Sequence, residues 1–140
     1  MIAYLDSSIL LRVVLGQADQ LAEWGRISKG VVSRLAEVEC MRTMDRLRLA
    51  GKLTIEESAL RRELVYRVLE GLDLVEITSA VLHRAAQPMV SPLGSLDAIH
   101  LATAELWRET RSIEIVFATH DRALALGARA SGFKVVGLPR

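Results

Sequence analysis

The stretch "YLDSSILLR", residues 4–12, carries an apolar run directly into an aspartate and two serines. The uninterrupted apolar residues 2–5 predict a short buried strand. The two serines begin a predicted helix over residues 7–15, and Gly16 is a plausible stop. Asp6, between the two elements, has two interpretations. It either caps the helix or is one of several carboxylates that meet at the end of a sheet.

The same change from strand to helix recurs along the chain. Thr54 followed by Glu57 is a capping-box pattern at the start of one helix, and Gly51 and Gly71 bound that region. Strands are predicted at residues 2–5, 31–32, 74–78, 113–119 and 134–138, and helices at 7–15, 18–27, 34–50, 54–70, 79–87, 96–110 and 121–131. Strands that alternate with helices predict an α/β fold with a parallel sheet of about five strands flanked by helices. Without a linker or a repeat, residues 1–140 are expected to form one domain.

Composition and charge exclude or disfavour several classes of protein. The 140 residues are 51% hydrophobic, and the mean hydropathy of +0.26 suggests apolar surface that another chain covers. The 18 basic and 17 acidic side chains nearly cancel, which disfavours nucleic-acid binding by net charge alone. Cys40 is the single cysteine, so an intramolecular disulfide and a zinc site of cysteine pairs are excluded. With no signal peptide and an apolar run broken by Arg12, we expect a cytoplasmic protein without a membrane span.

Acidic residues recur where the chain leaves or follows a strand. Asp6 ends the first strand, Asp121 follows the fourth, Glu39 lies early in the helix after the second, and Asp97 begins the helix before the fourth. All four can lie near the carboxyl ends of the strands, and in parallel α/β sheets ligands bind there, near the point where the strand order reverses. Each residue also has a purely structural interpretation: Asp6, Asp97 and Asp121 as residues that favour helix starts, and Glu39 as a surface partner of Arg42.

Grouping these carboxylates has an electrostatic consequence. Two carboxylates about 5 Å apart repel by about 3 kcal/mol at an effective dielectric of about 20. Several of them in one cleft raise one another's pKa values, and a divalent cation relieves the conflict. Oxygen ligands without cysteine favour Mg²⁺ or Mn²⁺ over Zn²⁺. Such a site suits hydrolysis of a phosphodiester by an activated water.

Four stretches, in order, resemble the motifs of one family. They are "YLDSSILL" (4–11), "VVSRLAEVECMR" (31–42), "SLDAIHLATA" (95–104) and "FATHDRALALGARASGFKVV" (117–136). Together they resemble the PIN-domain ribonucleases, and most closely the VapC-type toxins of type II toxin–antitoxin systems. The third stretch is the most diagnostic, and the resemblance covers nearly the whole chain.

The resemblance also implies roles for individual residues. The acidic site residues that it implies are Asp6, Glu39, Asp97 and Asp121. Asp6 and Asp97 would bind the metal, directly or through water, while Ser8 and Thr119 are similar to the hydroxyls that support the site.

Three residues close to these in the sequence are further candidates. Glu37 is a second candidate in the helix of Glu39. Residues two positions apart lie about 200° from each other around a helix, so both cannot point into the same cleft, and the spacing from Ser33 favours Glu39. His100, one turn after Asp97, is interpreted as a packed or rim histidine rather than a base. Cys40 is interpreted as a core residue.

The function implied is a Mg²⁺- or Mn²⁺-dependent endoribonuclease. Its partners would be the RNA substrate, a cognate VapB-like antitoxin and a second copy of itself in a homodimer. The leading alternative is a non-catalytic α/β protein-binding module with a degenerate acidic site. A phosphatase with Asp6 as nucleophile is disfavoured, because that chemistry usually needs a second aspartate where this chain has Ser8.

Overall fold

The strand that contains the opening motif is the centre of the sheet. In the computed structural model, which describes residues 1–139, five parallel strands lie in the order β3-β2-β1-β4-β5. Their bounds are β1 Ile2–Leu5, β2 Lys29–Ser33, β3 Asp73–Val75, β4 Val116–Ala118 and β5 Val135–Val136. Tyr4 is in register with Val31 on one side and with Phe117 on the other. The strand order reverses at β1, and its carboxyl end is therefore the expected place for a ligand.

Helices cover both faces of this sheet. The helices of residues 1–139 are α1 Ser7–Val14, α2 Leu35–Leu49, α3 Ile55–Glu70, α4 Ser79–Ala85, α5 Ser95–Arg111 and α6 Arg122–Ala130. Successive strand residues point to opposite faces. Leu5 packs with α1, α2 and α3 in one apolar cluster, while Tyr4 and Phe117 pack with α5 and α6 in another. α4 packs on α5.

Local sequence signals explain where several helices begin and end. The hydroxyl of Thr54 accepts a hydrogen bond from the backbone N–H of Glu57 at 3.0 Å, as the capping-box pattern predicts. Gly16 and Gly51 follow α1 and α2 with φ of +66° and +74°. A residue without Cβ adopts this left-handed conformation at little cost, so each glycine allows the chain to leave its helix.

The predicted α/β fold is confirmed, with differences in the bounds of elements. Residues 18–27 form no α-helix and contain only a 3₁₀ turn at Trp24–Arg26. β4 is shorter than the predicted strand 113–119, and β3 begins at Asp73 and ends before Glu76. Among residues 1–139, no helix is both long and apolar enough to cross a membrane. Arg140, the last residue of the predicted domain, lies outside the described residues.

Candidate active site

The carboxylate of Asp6 is fixed at the carboxyl end of the central strand. Its side chain is buried, with 4% of the residue exposed. Oδ1 accepts a hydrogen bond from Ser8 Oγ at 2.6 Å and a longer one from the N–H of Ile9, and Oδ2 accepts one from Thr119 Oγ1 at 2.8 Å. Asp6 is the N-cap of α1 and is also tied to the residue that follows β4. The cap and the site carboxylate are therefore compatible roles for one side chain.

The environment of Asp6 disfavours its charge. Burial raises the pKa of this carboxyl, and the hydrogen bonds from Ser8 and Thr119 and the imidazole of His100 oppose that rise only in part. The net result is a pKa above the ordinary value for aspartate. The ionised form of Asp6 would gain from a nearby cation.

A short chain of hydrogen bonds links Asp6 to the start of α6. Thr119 Oγ1, which donates to Asp6, also accepts from the N–H of Asp121 at 3.0 Å. Ser8 Oγ accepts from the N–H of His120 at 3.0 Å. Asp121 Oδ1 in turn caps α6 by accepting from the N–H of Leu124 at 2.9 Å. The two predicted supporting hydroxyls thus join the ends of β1 and β4.

Glu39 projects from α2 toward α5 rather than along its own helix. Its Oε1 lies 2.6 Å from Nε2 of His100. The predicted alternative of a pair with Arg42 is not observed, because Arg42 instead lies 3.0 Å from Asp45. Glu37, the second candidate in this helix, is turned toward Arg34 at 3.9 Å. The structure therefore places Glu39, and not Glu37, on the side of α2 that faces α5.

Asp97 lies in the first turn of α5 and is half-buried. Burial is the largest cause that raises the pKa of its carboxyl. The negative charges of Asp121, Asp6 and Glu39 raise it further, against the opposing effect of His100. Asp97 is thus close enough to the other three predicted acidic residues for their charges to raise its pKa. No lysine or arginine of residues 1–139 forms an ion pair with Asp6, Asp97 or Asp121.

The donor chemistry of these residues fits a hard divalent cation. Carboxylate and hydroxyl oxygens dominate, and the uncompensated charges of Asp6 and Asp97 would be neutralised by Mg²⁺ or Mn²⁺. Within the described part of the chain, no three His, Cys, Asp or Glu side chains already converge as a preformed metal cluster. Mg²⁺ keeps several waters and takes only one or two carboxylates directly.

A groove adjoins the site on the α2 side. It is a cavity of ≈ 380 Å³ whose lining includes Leu35, Val38, Glu39, Arg42 and Arg46. Apolar and arginine side chains thus line this groove together with Glu39. The groove is therefore a surface where a phosphate could approach the acidic residues.

Two side chains of this region were not predicted to work together. Tyr4 OH lies 2.6 Å from Nδ1 of His100, so the imidazole bridges the central strand and Glu39. His100 is 1% exposed, in agreement with the predicted packed histidine. The sequence places His100 one turn after Asp97 but contains no signal for its contact with Tyr4.

The protein is a parallel α/β domain with acidic residues near the carboxyl end of its central strand, where the strand order reverses and where such folds bind ligands. Residues 3–129 match the family described as the PIN domain, and the chain belongs to that family. This confirms the resemblance identified from the sequence motifs.

Known relatives agree over nearly the full length. The chain is 31% identical over 138 residues to Ribonuclease VapC47 of Mycobacterium tuberculosis (strain CDC 1551 / Oshkosh), which covers 93% of this chain and 92% of the relative. It is 30% identical over 138 residues to Ribonuclease VapC35 of the same species, over 95% and 94% of the two chains. A chain of a toxin–antitoxin complex from Klebsiella pneumoniae superposes with a TM-score of 0.66 at 19% identity, covering 96% and 95% of the two chains. That last likeness shows a shared fold.

Proposed function

We propose that this protein is a Mg²⁺- or Mn²⁺-dependent endoribonuclease that acts as the toxin of a toxin–antitoxin pair. The observation that carries the proposal is that the charges of Asp121, Asp6 and Glu39 add to burial in raising the pKa of Asp97, while no lysine or arginine among residues 1–139 forms an ion pair with Asp6, Asp97 or Asp121. The similarity to two ribonucleases at about one-third identity supports the choice of RNA as substrate.

The proposed roles follow from where each side chain lies. Asp6 and Asp97 would hold the cation, directly or through water. Burial raises the pKa of both carboxyls, and neighbouring negative charges raise that of Asp97 further, so a cation would stabilise their ionised forms. Glu39 would complete the ligand sphere, and Asp121 would orient a water. A cation held there would polarise the scissile phosphate and lower the pKa of the attacking water. Ser8 and Thr119, which hold Asp6 by hydrogen bonds, are proposed as supporting residues.

Arginines beside the site are proposed to position the RNA. Arg42 and Arg46 line the groove next to Glu39, and an arginine guanidinium suits phosphate oxygens. With a net charge of +1, the protein lacks a strong general attraction for RNA. We therefore expect modest affinity with a clear dependence on salt.

Two protein partners complete the proposal. A cognate VapB-like antitoxin is supported by the fold shared with a chain of the K. pneumoniae toxin–antitoxin complex. A homodimer is supported by apolar side chains left exposed on α3, among them Leu60 and Tyr66. The RNA substrate and the antitoxin place the proposed activity in the cytoplasm.

The test is a cleavage assay on purified protein freed of any partner. We would incubate it with a mixed RNA pool and Mg²⁺ or Mn²⁺, beside an EDTA control and the Asp97→Asn variant. Asp73→Asn is the matched control, since Asp73 lies in β3 and pairs with Lys29 at 3.8 Å. We expect metal-dependent cleavage that Asp97→Asn abolishes and Asp73→Asn retains.

Other outcomes of the assay are equally informative. Cleavage by Asp97→Asn equal to that of the wild-type protein would indicate a contaminating nuclease. Absence of cleavage by the well-folded protein with either metal, over a pool that includes tRNA, rRNA and mRNA, would contradict the proposal and favour a non-catalytic binding module.

A further inference from the structure

A well-defined polar cluster lies inside the core, next to the acidic site. Tyr4 is 0% exposed and His100 is 1% exposed. The phenol oxygen and Nδ1 of the imidazole are 2.6 Å apart, and Nε2 is 2.6 Å from Oε1 of Glu39. When the tyrosine hydroxyl donates to Nδ1, the Nε2–H group donates to the glutamate, and both ring nitrogens of His100 have a hydrogen-bond partner.

We propose that Tyr4 and His100 are positioning residues that hold Glu39 in the orientation the acidic site requires. The inference rests on the proposed function, because it assigns the part of Glu39 in that site. The proposed path starts on β1, crosses to α5 through His100 and ends on α2. Neither Tyr4 nor His100 is proposed to touch RNA or metal.

The geometry at Glu39 favours positioning over simple packing. Its Oε1 is held by His100, whereas Oε2 has no hydrogen-bond partner among residues 1–139. One oxygen is therefore fixed while the other stays available to a ligand. A glutamate side chain that is about one-fifth exposed would otherwise be free to change rotamer. Hydrogen-bonded partners of metal-binding carboxylates often act in this way.

The anchor of the path is rigid for independent reasons. The Tyr4 ring stacks on Phe117 with a centroid distance of 5.1 Å and meets the His100 ring edge-on at 5.9 Å. Tyr4 also lies on β1 two residues before Asp6, which follows the end of that strand. The central strand thereby sets the position of Asp6 through the backbone and of Glu39 through Tyr4 and His100.

The experiment compares three substitutions by Mn²⁺ affinity from titration calorimetry, by kcat and KM for RNA cleavage, and by thermal unfolding. In His100→Phe we expect a 10- to 100-fold loss in Mn²⁺ affinity or in kcat, of the order seen for other outer partners of metal ligands. His100→Gln retains an N–H donor near the position of Nε2, and we expect it to recover most of that loss. Tyr4→Phe removes one oxygen, and we expect a smaller loss of about fivefold.

The control for a merely structural effect is Leu101→Ala. Leu101 follows His100 in α5, is 2% exposed and belongs to the apolar cluster on the α5 side. We expect Leu101→Ala to lower the unfolding temperature while Mn²⁺ affinity stays near the wild-type value. Tyr4→Phe and His100→Gln keep the test decisive if His100→Phe does not fold.

Failure of the inference and failure of the proposed function give different results. Wild-type values of Mn²⁺ affinity and kcat in folded Tyr4→Phe, with no loss in His100→Phe or with His100→Phe unfolded, would overturn the positioning role and leave the nuclease intact. A wild-type protein that binds Mn²⁺ in a His100-dependent manner but cleaves no RNA would retain the positioning role and contradict the nuclease. A wild-type protein that binds no Mn²⁺ would contradict both.

Discussion

The carboxyl group of Asp97 links the electrostatics of the site to the stability of the fold. Its pKa is raised above the ordinary value of 3.8 by burial and by the charges of Asp121, Asp6 and Glu39. The folded protein therefore binds a proton at Asp97 more tightly than the unfolded chain does. The stability that this proton contributes is complete below the ordinary pKa and is lost as pH rises through the raised one.

The loss of stability with rising pH gives a prediction for the metal-free protein. In EDTA, we expect wild-type protein to lose stability relative to Asp97→Asn as pH rises from about 4 toward neutrality. Urea unfolding at a series of pH values measures the difference, and saturating Mn²⁺ should reduce it for the wild-type protein. A stability difference that is constant with pH would show that Asp97 does not carry this electrostatic cost.

Cys40 gives a second prediction at the residue scale. Burial, with the charges of Glu39 and Asp6, raises the pKa of its thiol to about 12. At pH 8 only about one thiol in ten thousand is then ionised, and the thiolate is the reactive form. We expect negligible labelling of the native protein by a disulfide reagent and complete labelling in denaturant. Rapid labelling of the native protein would contradict the interpretation of Cys40 as a core residue.

Among the secondary-structure elements, the start of α6 allows the two roles of Asp121 to be tested separately. Asp121 caps this helix and is also a proposed site residue. Serine is a good N-cap and alanine is not, so Asp121→Ala should lower the free energy of unfolding by about 1 kcal/mol while Asp121→Ser retains it. Both substitutions remove the carboxylate and should reduce cleavage alike. If Asp121→Ser restores cleavage together with stability, the cap is the only role of Asp121.

The bounds of the elements show what a sequence can predict and why. The capping pattern at Thr54 acts locally, and the start of α3 was predicted to within a residue. The apolar run 113–119 predicts a strand but not its length, because β4 extends only as far as its register with the four-residue β1. Ile115 is buried outside the strand, so apolarity alone does not define pairing.

The same distinction applies to the site. Asp6 follows β1 directly and Asp121 comes shortly after β4, so their place at the carboxyl ends of the strands could be inferred from chain order. The contact of Tyr4 with His100 joins residues 96 positions apart and depends on how α5 packs across β1. Sequence spacing contains no signal for that packing.

For the whole molecule, charge distribution is more informative than net charge. The near balance of acidic and basic side chains leaves the proposed RNA binding to local arginines such as Arg46. We expect Arg46→Ala to raise KM with little change in kcat. The slope of log affinity against log salt should become shallower by about 0.7, the value for one phosphate contact on a single strand.

A matched variant controls for the loss of a positive charge anywhere on the surface. Arg62 is exposed on α3, away from the groove. Binding measured by fluorescence anisotropy over a range of salt should give Arg62→Ala the wild-type slope. Equal slopes for Arg46→Ala and the wild-type protein would exclude Arg46 as a phosphate contact.

The parallel order of the strands also has a consequence during synthesis of the chain. Asp6 is synthesised before β4, which flanks its strand, and before Thr119, which donates to its Oδ2. A ribosome that has translated as far as residue 100 has produced three of the four acidic residues but has not yet produced β4. The proposed site is therefore complete only after Thr119 and Asp121 have left the ribosome, and we expect a nascent chain that ends before them to be inactive.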